Sequence, residues 1–251
     1  MTAWTGIGRT DIGLVRAMNQ DCFLALDQLG FWAVADGMGG HAGGDVAAHT
    51  AMAVASAHIE QTVGHGLDSP HDILQTLMTA AHQTVRDRAK RDPALSHMGT
   101  TLVALLLTPQ PTAVAHIAHL GDSRAYLYRG GTLTPLTRDH TMIEKYLAHG
   151  ILTPESAKTH PDRHVLTKAV GISATATPDI ASHPLQPDDL ILLCSDGLTK
   201  MLEDQDIALI MKHSGKDPVR AGDTLIEAAL ARGGLDNVTV VVIAQSQNTH
   251  R

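Results

Sequence analysis

Residues 31–45 read Phe-Trp-Ala-Val-Ala-Asp-Gly-Met-Gly-Gly-His-Ala-Gly-Gly-Asp, and this stretch decides how the rest of the chain is interpreted. Five consecutive apolar residues, Phe31 to Ala35, predict a strand that is buried on both faces. We expect the strand to end at Asp36-Gly37, with a glycine-rich turn and then a helix from about Asp45. A carboxylate at the mouth of a buried strand is costly unless a cation holds it. We therefore predict that Asp36 and the carbonyl of Gly37 bind a divalent metal.

Four more aspartates lie next to apolar strands in the same way. Asp122 follows Ala-His-Leu-Gly, and Asp196 follows Ile-Leu-Leu-Cys-Ser. Asp236 stands two residues before Val-Thr-Val-Val-Val-Ile-Ala, and Asp21 directly precedes Cys-Phe-Leu-Ala-Leu. Each one alone has a structural interpretation, because Asp-Gly is a turn dipeptide and aspartate caps helices. Together with Asp36, they favour convergence on a single site.

The donor types in this set indicate which metal would bind. Oxygen ligands without cysteine or paired histidine favour Mg²⁺ or Mn²⁺, and two such ions about 3.5–4 Å apart could share Asp36 and hold a hydroxide between them. Zinc is disfavoured, since His116 and His119 lie three apart on a predicted strand and face opposite ways. Arg16 offers a planar fork for a phosphate, although an ion pair with a nearby aspartate is an equal alternative.

Composition narrows the class of protein. The chain has 251 residues, 43% of them hydrophobic, and a formal charge of -7, which argues against nucleic acid or an anionic membrane as the main partner. The N-terminus does not resemble a signal peptide, and no apolar run approaches membrane-spanning length. Cys22 and Cys194 are interpreted as free thiols, which predicts a cytoplasmic location.

The predicted elements favour an α+β fold, because strands come in runs and long helices come in two separated pairs. Ser69-Pro70 and Asp217-Pro218 are typical helix starts. The polar stretch 137–171 is expected to be an excursion from the core, as functional lids are. The predicted strands are about 4–10, 22–26, 31–35, 100–108, 112–120, 125–129, 189–195 and 238–244. The predicted helices are about 45–61, 70–92, 203–213 and 218–232.

Six short motifs occur in the order seen in bacterial metal-dependent protein phosphatases of type 2C, and from about Thr5 to Ala244 the chain resembles that family. The motifs are Arg16-Ala17-Met18-Asn19-Gln20-Asp21, Asp36-Gly37-Met38-Gly39-Gly40-His41, Gly99-Thr100-Thr101, Gly121-Asp122-Ser123-Arg124, Ser195-Asp196-Gly197-Leu198 and Asp236-Asn237.

The resemblance implies a four-layer α-β-β-α sandwich of two antiparallel sheets flanked by helix pairs. It implies one phosphatase domain over residues 1–251, with a flap at about 137–171. It also implies a role for each site residue. Asp36 would bridge two Mn²⁺ or Mg²⁺ ions, and Gly37 would supply a carbonyl ligand. Asp196 and Asp236 would complete the first metal's shell, and Asp21 would act on the second metal through water. Asp122 would help hold a weaker third metal, and Arg16 would bind the substrate phosphate.

Three positions depart from the family pattern. Gln20 stands where many members have glutamate, and an amide holds a metal-bound water with less charge. Lys200 stands where many have aspartate, and a cation there would oppose a third metal. Met38 replaces the histidine that follows Asp-Gly in eukaryotic members, so His41 is not assigned a general-acid role.

The activity implied is hydrolysis of phosphoserine and phosphothreonine esters by a metal-bridging hydroxide, in line and without a covalent enzyme intermediate. The partners implied are phosphorylated proteins and a cognate serine/threonine kinase, and the chain is expected to be a monomer.

Two alternatives stay open at this point. One is a dinucleotide-binding fingerprint, Gly37-x-Gly39-x-x-Ala42, with Glu60 as the ribose acid, although the charge of Asp36 would lie beside the pyrophosphate. The other is a phosphoprotein-binding module of the same fold without turnover.

Overall fold

The computed structural model of the chain describes residues 4–39, 43–63, 69–108, 112–172, 175 and 177–246. Its centre is a pair of antiparallel sheets. The first contains, in spatial order, β1 (Trp4–Asp11), β11 (Val238–Gln245), β10 (Leu190–Cys194), β7 (Arg124–Arg129) and β8 (Thr132–Pro135). The second contains β2 (Asp21–Leu26), β3 (Phe31–Met38), β5 (Leu102–Thr108), β6 (Val114–Leu120) and β9 (Asp179–Pro184), with the short β4 (Gly99–Thr100) paired to the end of β3.

Two long helices cover the outer face of each sheet. α1 (Gly43–Thr62) and α2 (Pro70–Arg91) pack on the second sheet, and α6 (Asp204–Ser214) and α7 (Pro218–Ala231) pack on the first. Shorter helices are α3 (Met142–Ala148), α4 (Pro154–Ala157) and α5 (Asp196–Thr199). The predicted four-layer α-β-β-α architecture is confirmed. Within the described residues, no helix has both the length and the apolar character needed to cross a membrane.

Strand β3 shows why the order of residues in 31–35 produces these layers. Phe31, Ala33 and Ala35 belong to the apolar cluster beneath α1 and α2. Trp32 and Val34 belong to the cluster between the two sheets. All five are fully buried, as the uninterrupted apolar run predicted. A strand with one polar face could not lie between a helical layer and a second sheet.

The helix start signals are confirmed where they were predicted. The Ser69 hydroxyl accepts a hydrogen bond from the amide of Asp72, with Pro70 in the first turn. The Asp217 carboxylate accepts from the amides of Val219 and Arg220. Both caps satisfy amides that have no partner within the helix.

Several predicted boundaries were wrong. β3 does not stop at Asp36-Gly37, because Gly37 and Met38 pair with Thr100 and Gly99 of β4 and extend the strand. α1 begins at Gly43, two residues earlier than predicted. Strands β8 and β9 and the short helix α5 were not predicted.

The dinucleotide-binding alternative is contradicted by the topology. β3 pairs antiparallel with both β2 and β5, and α1 leads to α2. A dinucleotide fold needs a parallel strand after the first helix. His41 and Ala42 lie outside the described residues.

Candidate metal centre

The topology brings the predicted aspartates to one end of the sandwich. In the second sheet, β2 begins where the antiparallel β3 nears its end, and Asp21 is paired directly with Asp36. In the first sheet, Cys194 at the end of β10 pairs with Val240 near the start of β11. Asp196 and Asp236 flank these two strand ends and therefore lie side by side. Residues far apart in sequence thus meet at one rim.

A cavity of about 740 Å³ opens at this rim. Six of the seven residues predicted for the site line it: Arg16, Asp36, Gly37, Asp122, Asp196 and Asp236. The seventh, Asp21, is not in the lining; it is 5% exposed, and its Oδ2 accepts a hydrogen bond of 2.7 Å from the Ser195 hydroxyl. We call Asp21, Asp36, Asp122, Asp196 and Asp236 the acid cluster.

The backbone at Asp36 is held by two threonines. The amide of Asp36 donates to Thr101 Oγ1 at 2.9 Å, and the amide of Thr101 donates to the Asp36 carbonyl at 2.9 Å. The Thr100 hydroxyl donates to the same carbonyl, also at 2.9 Å. A side chain at Gly37 would place its Cβ 2.2 Å from the carbonyl oxygen of Gly44, so only glycine fits here. Asp36 is therefore presented to the cavity from a rigid position.

The acid cluster carries more negative charge than its surroundings balance. Burial, together with the charges of Asp21, Asp196 and Asp122, raises the pKa of Asp36 well above its ordinary value. Burial and the nearby Asp196 raise the pKa of Asp122 to about 7. Burial also raises the pKa of Asp21 to about 6, and the hydrogen bond from Ser195 limits the rise. Each shift reports an environment in which an additional cation is favoured.

Two oxygens of the acid cluster are buried acceptors without a donor. Among the described residues, Asp21 Oδ1 and Asp196 Oδ1 have no hydrogen-bond partner. Burying such an atom costs free energy unless a donor or cation takes its lone pair. Oxygen-only ligands suit Mg²⁺ and Mn²⁺. The residues present therefore fit a hard divalent cation.

Two fixed cations contact the acid cluster. The Arg16 guanidinium donates from Nε to Asp236 Oδ1 and from NH2 to Asp236 Oδ2, each at 2.8 Å. The ion pair weighed as an alternative for Arg16 is thus present. Lys200 Nζ lies 2.6 Å from Asp196 Oδ2 and 3.0 Å from Asp236 Oδ2. Burial opposes ionisation of Asp236, but Arg16 and Lys200 outweigh it and lower the pKa of Asp236.

Several contributors to the site were missed at the level of sequence. The Asn237 side chain accepts from the amide of Gln20 at 2.8 Å and donates to the carbonyls of Ile12 and Met18, which fastens the loop carrying Arg16. The motif Asp236-Asn237 was the available signal, although it did not specify this role. His164, within the predicted flap, also lines the cavity. Nothing in its sequence context distinguished it from the other histidines.

A second group of ligand-type side chains lies elsewhere, and we call His119, His140 and Asp179 the histidine cluster. The two rings stack with centroids 4.4 Å apart. His140 Nδ1 accepts from the amide of Gly121 at 3.2 Å, and His140 Nε2 lies 3.3 Å from Asp179 Oδ2. The structure therefore offers a second place to test for cation binding.

Comparison with known proteins gives consistent matches. The sequence profile of the family described as Protein phosphatase 2C matches residues 15–225. The serine/threonine protein phosphatase PstP of Mycobacterium tuberculosis is 38% identical over 237 residues, which span 93% of this chain but 43% of that protein. The serine/threonine phosphatase stp of Listeria welshimeri is 35% identical over 95% of this chain and 94% of its own length. The solved catalytic domain of PstP in complex with two manganese ions is 33% identical, with a TM-score of 0.85 over 98% of this chain and 100% of that one.

Proposed function

The chain belongs to the protein phosphatase 2C family of metal-dependent serine/threonine phosphatases, and we propose that it hydrolyses phosphoserine and phosphothreonine esters in proteins. The observation that carries the proposal is the acid cluster. Four of its five members, separated by up to about two hundred positions, line one cavity, and two buried oxygens of the cluster have no donor among the described residues. This arrangement favours the binding of cations, and the cavity has room for a substrate beside them.

In this proposal Asp36, Gly37, Asp196 and Asp236 would hold two Mn²⁺ or Mg²⁺ ions, and Asp36 would contribute to both. Asp21 would support the second ion from behind the cavity, and Asp122 would add negative charge beside Asp196. When bound, such ions would neutralise phosphate charge and lower the pKa of a bound water. The PstP catalytic domain, solved with two manganese ions, supports this choice of metal.

Arg16 is the residue proposed to grip the phosphate. Its guanidinium carries five N–H donors, of which Asp236 takes two at 2.8 Å. Asp236 orients the planar fork, and the remaining donors can reach phosphate oxygens. The side chain is 53% exposed, so a substrate can approach it from solvent. Arg16 would therefore position the ester and balance charge on its equatorial oxygens.

We further propose that residues 137–171 form a flap that helps to select substrates, because two of them, His164 and Leu166, line the cavity at the acid cluster. The substrates would be targets of a cognate serine/threonine kinase. A monomer acting in the cytoplasm is proposed. Cys22 and Cys194 are free, and burial raises the pKa of both thiols to about 12, as suits unreactive cysteines.

The direct test is hydrolysis of phosphothreonine and phosphoserine peptides by purified protein with Mn²⁺ and after treatment with EDTA. We expect release of phosphate only with metal, and none from Asp36→Asn or Asp236→Asn. Activity that survives both substitutions would refute the assignment. A folded wild-type protein that binds Mn²⁺ without turnover would favour the phosphoprotein-binding alternative.

A further inference from the structure

Lys200 is a charged side chain of the cavity that the proposed reaction does not use. It lies one helical turn after Asp196 on α5, and its ammonium contacts Asp196 Oδ2 at 2.6 Å and Asp236 Oδ2 at 3.0 Å. The side chain is 28% exposed. An ammonium that is paired with two carboxylates stays charged, so Lys200 is a permanent cation within the acid cluster.

The influence of this ammonium extends beyond the two carboxylates it touches. Its charge also acts to lower the pKa of Asp36 and of Asp122, against the burial that raises them. Lys200 therefore contacts two members of the acid cluster and lines the same cavity as two more, Asp36 and Asp122. Arg16 lines this cavity too, but both of its hydrogen bonds to the cluster go to Asp236.

We propose that Lys200 is a protein-borne counter-ion that takes the place of one divalent cation, limits the acid cluster to two divalent ions and weakens their binding. This inference rests on the proposed function, since it requires that the acid cluster binds metal.

Charge and contacts both lead to this limit. Five carboxylates carry at most five negative charges, and Lys200 with Arg16 supplies two positive ones. The net charge left on the cluster is therefore at most three negative charges. Two divalent ions bring four positive charges and already exceed it by one, so a third ion would meet net repulsion from its neighbours at short range. A metal at Asp236 must also compete with Lys200 for Oδ2. Asp196 can serve both partners, because its Oδ1 has no donor among the described residues.

The test is titration of EDTA-stripped protein with MnCl₂. Binding is measured by calorimetry and, independently, from the electron paramagnetic resonance signal of free Mn²⁺. Wild type should bind two ions. Lys200→Met, which keeps the length and removes the charge, should bind Mn²⁺ at least about tenfold tighter, since a unit charge within a few Å is worth that much even at high effective dielectric. Lys200→Asp should bind three ions, and Lys200→Arg should match wild type.

The matched control is Lys216→Met, which removes the same formal charge. Lys216 pairs with Asp188 and lies beside Thr5 and Ala244, at the opposite end of the first sheet. Its Mn²⁺ binding should equal that of wild type. In EDTA, Lys200→Met should melt at a lower temperature than Lys216→Met, because the carboxylates lose their counter-ion, and excess Mn²⁺ should remove the deficit.

The outcomes separate the two proposals. Wild type that binds no Mn²⁺ contradicts the proposed function itself. Wild type that binds two ions, with Lys200→Met and Lys200→Asp unchanged in affinity and number, overturns only the role of Lys200. Circular dichroism verifies that each variant is folded. Should Lys200→Met unfold without metal, Lys200→Gln is titrated in its place under the same criteria.

Discussion

The acid cluster and the histidine cluster both gather side chains that ligate metals, yet they differ in what their buried atoms offer. Within the part of the chain that the structure describes, the unsatisfied atoms of the acid cluster are Asp21 Oδ1 and Asp196 Oδ1, both acceptors with a free lone pair. The unsatisfied atom of the histidine cluster, on the same basis, is His140 Nε2. Whether that nitrogen is a lone pair or an N–H decides what the second cluster can bind.

The surroundings of His140 settle its tautomer. Burial, with the neighbouring His119 and Lys168, lowers the pKa of His140 to about 4, so the ring is neutral. Its Nδ1 accepts from the amide of Gly121, and the ring proton must therefore sit on Nε2, facing Asp179. Lys168 already holds Asp179 at 2.6 Å. Ligand-type residues form a cation site only where their lone pairs are free, and two of the three members of the histidine cluster, His140 and Asp179, do not meet that condition.

The largest expected effect comes from a matched pair, one aspartate from each cluster. Asp196→Asn removes the charge beside a buried, donor-free oxygen, and we expect kcat/KM for Mn²⁺-dependent phosphopeptide hydrolysis to fall by at least about a thousandfold. Asp179→Asn should keep kcat/KM within about threefold of wild type. Steady-state kinetics at saturating Mn²⁺ checks both. Equal losses in the two variants would remove the distinction between the clusters.

Arg16→Ala should have the next largest effect. Loss of the fork that faces the phosphate should lower kcat/KM by about a hundredfold, or about 2.7 kcal/mol of transition-state stabilisation. Arg16→Lys should recover only part of this, because an ammonium cannot make the paired contacts of a guanidinium. The measurement is phosphate release from a phosphothreonine peptide. Full activity of Arg16→Ala would show that the guanidinium serves only to neutralise Asp236.

A smaller effect should appear in the pH dependence of stability without metal. The pKa of Asp21 rises on folding from 3.8 to about 6, so the folded chain binds this proton more tightly and loses stability as pH rises through that range. In EDTA, the free energy of unfolding of Asp21→Asn, measured relative to wild type, should therefore increase by about 2 kcal/mol from pH 4 to pH 8. The histidines titrate in both proteins and cancel in the difference. Loss of the Asp21 charge also lowers the pKa of Asp36, which changes the difference in the same direction. Urea denaturation at several pH values measures it, and a difference that is flat with pH would contradict the assignment.

The smallest effect is expected in the histidine cluster. His119→Ala removes the hydrogen bond between His119 Nε2 and the Arg138 carbonyl, of 2.9 Å, together with the stacking on His140. We expect the free energy of unfolding to fall by about 1–2 kcal/mol, with the number of bound Mn²⁺ ions unchanged. Loss of one bound ion would mean that the histidine cluster holds metal after all.

Comparison of prediction and structure shows what local sequence can encode. Strand β3 was predictable because its residues alternate between two apolar environments. Both faces must then be apolar, and the uninterrupted apolar run at 31–35 shows this directly. Strand β9 was missed because it lies at the edge of its sheet, where β6 is its one partner among the described strands, and most of its residues are exposed. An edge strand needs no apolar pattern, so periodicity does not reveal it.

The site divides in the same way. Asp36, Asp196 and Asp236 could be predicted because each stands beside an apolar strand. The supporting hydroxyls of Thr101 and Ser195 could not, since their roles depend on contacts across 65 and 174 positions. Lys200 was recognised as a departure from the family pattern, but its contacts with two carboxylates emerge only when β10 and β11 are placed side by side.

The most direct measurement is anomalous diffraction from crystals grown with MnCl₂, collected near the manganese absorption edge. We expect two strong peaks among Asp36, Asp196 and Asp236, and none between His119, His140 and Asp179. Peaks in the histidine cluster, or an acid cluster without manganese at saturating concentration, would contradict the assignment of the acid cluster as the metal centre.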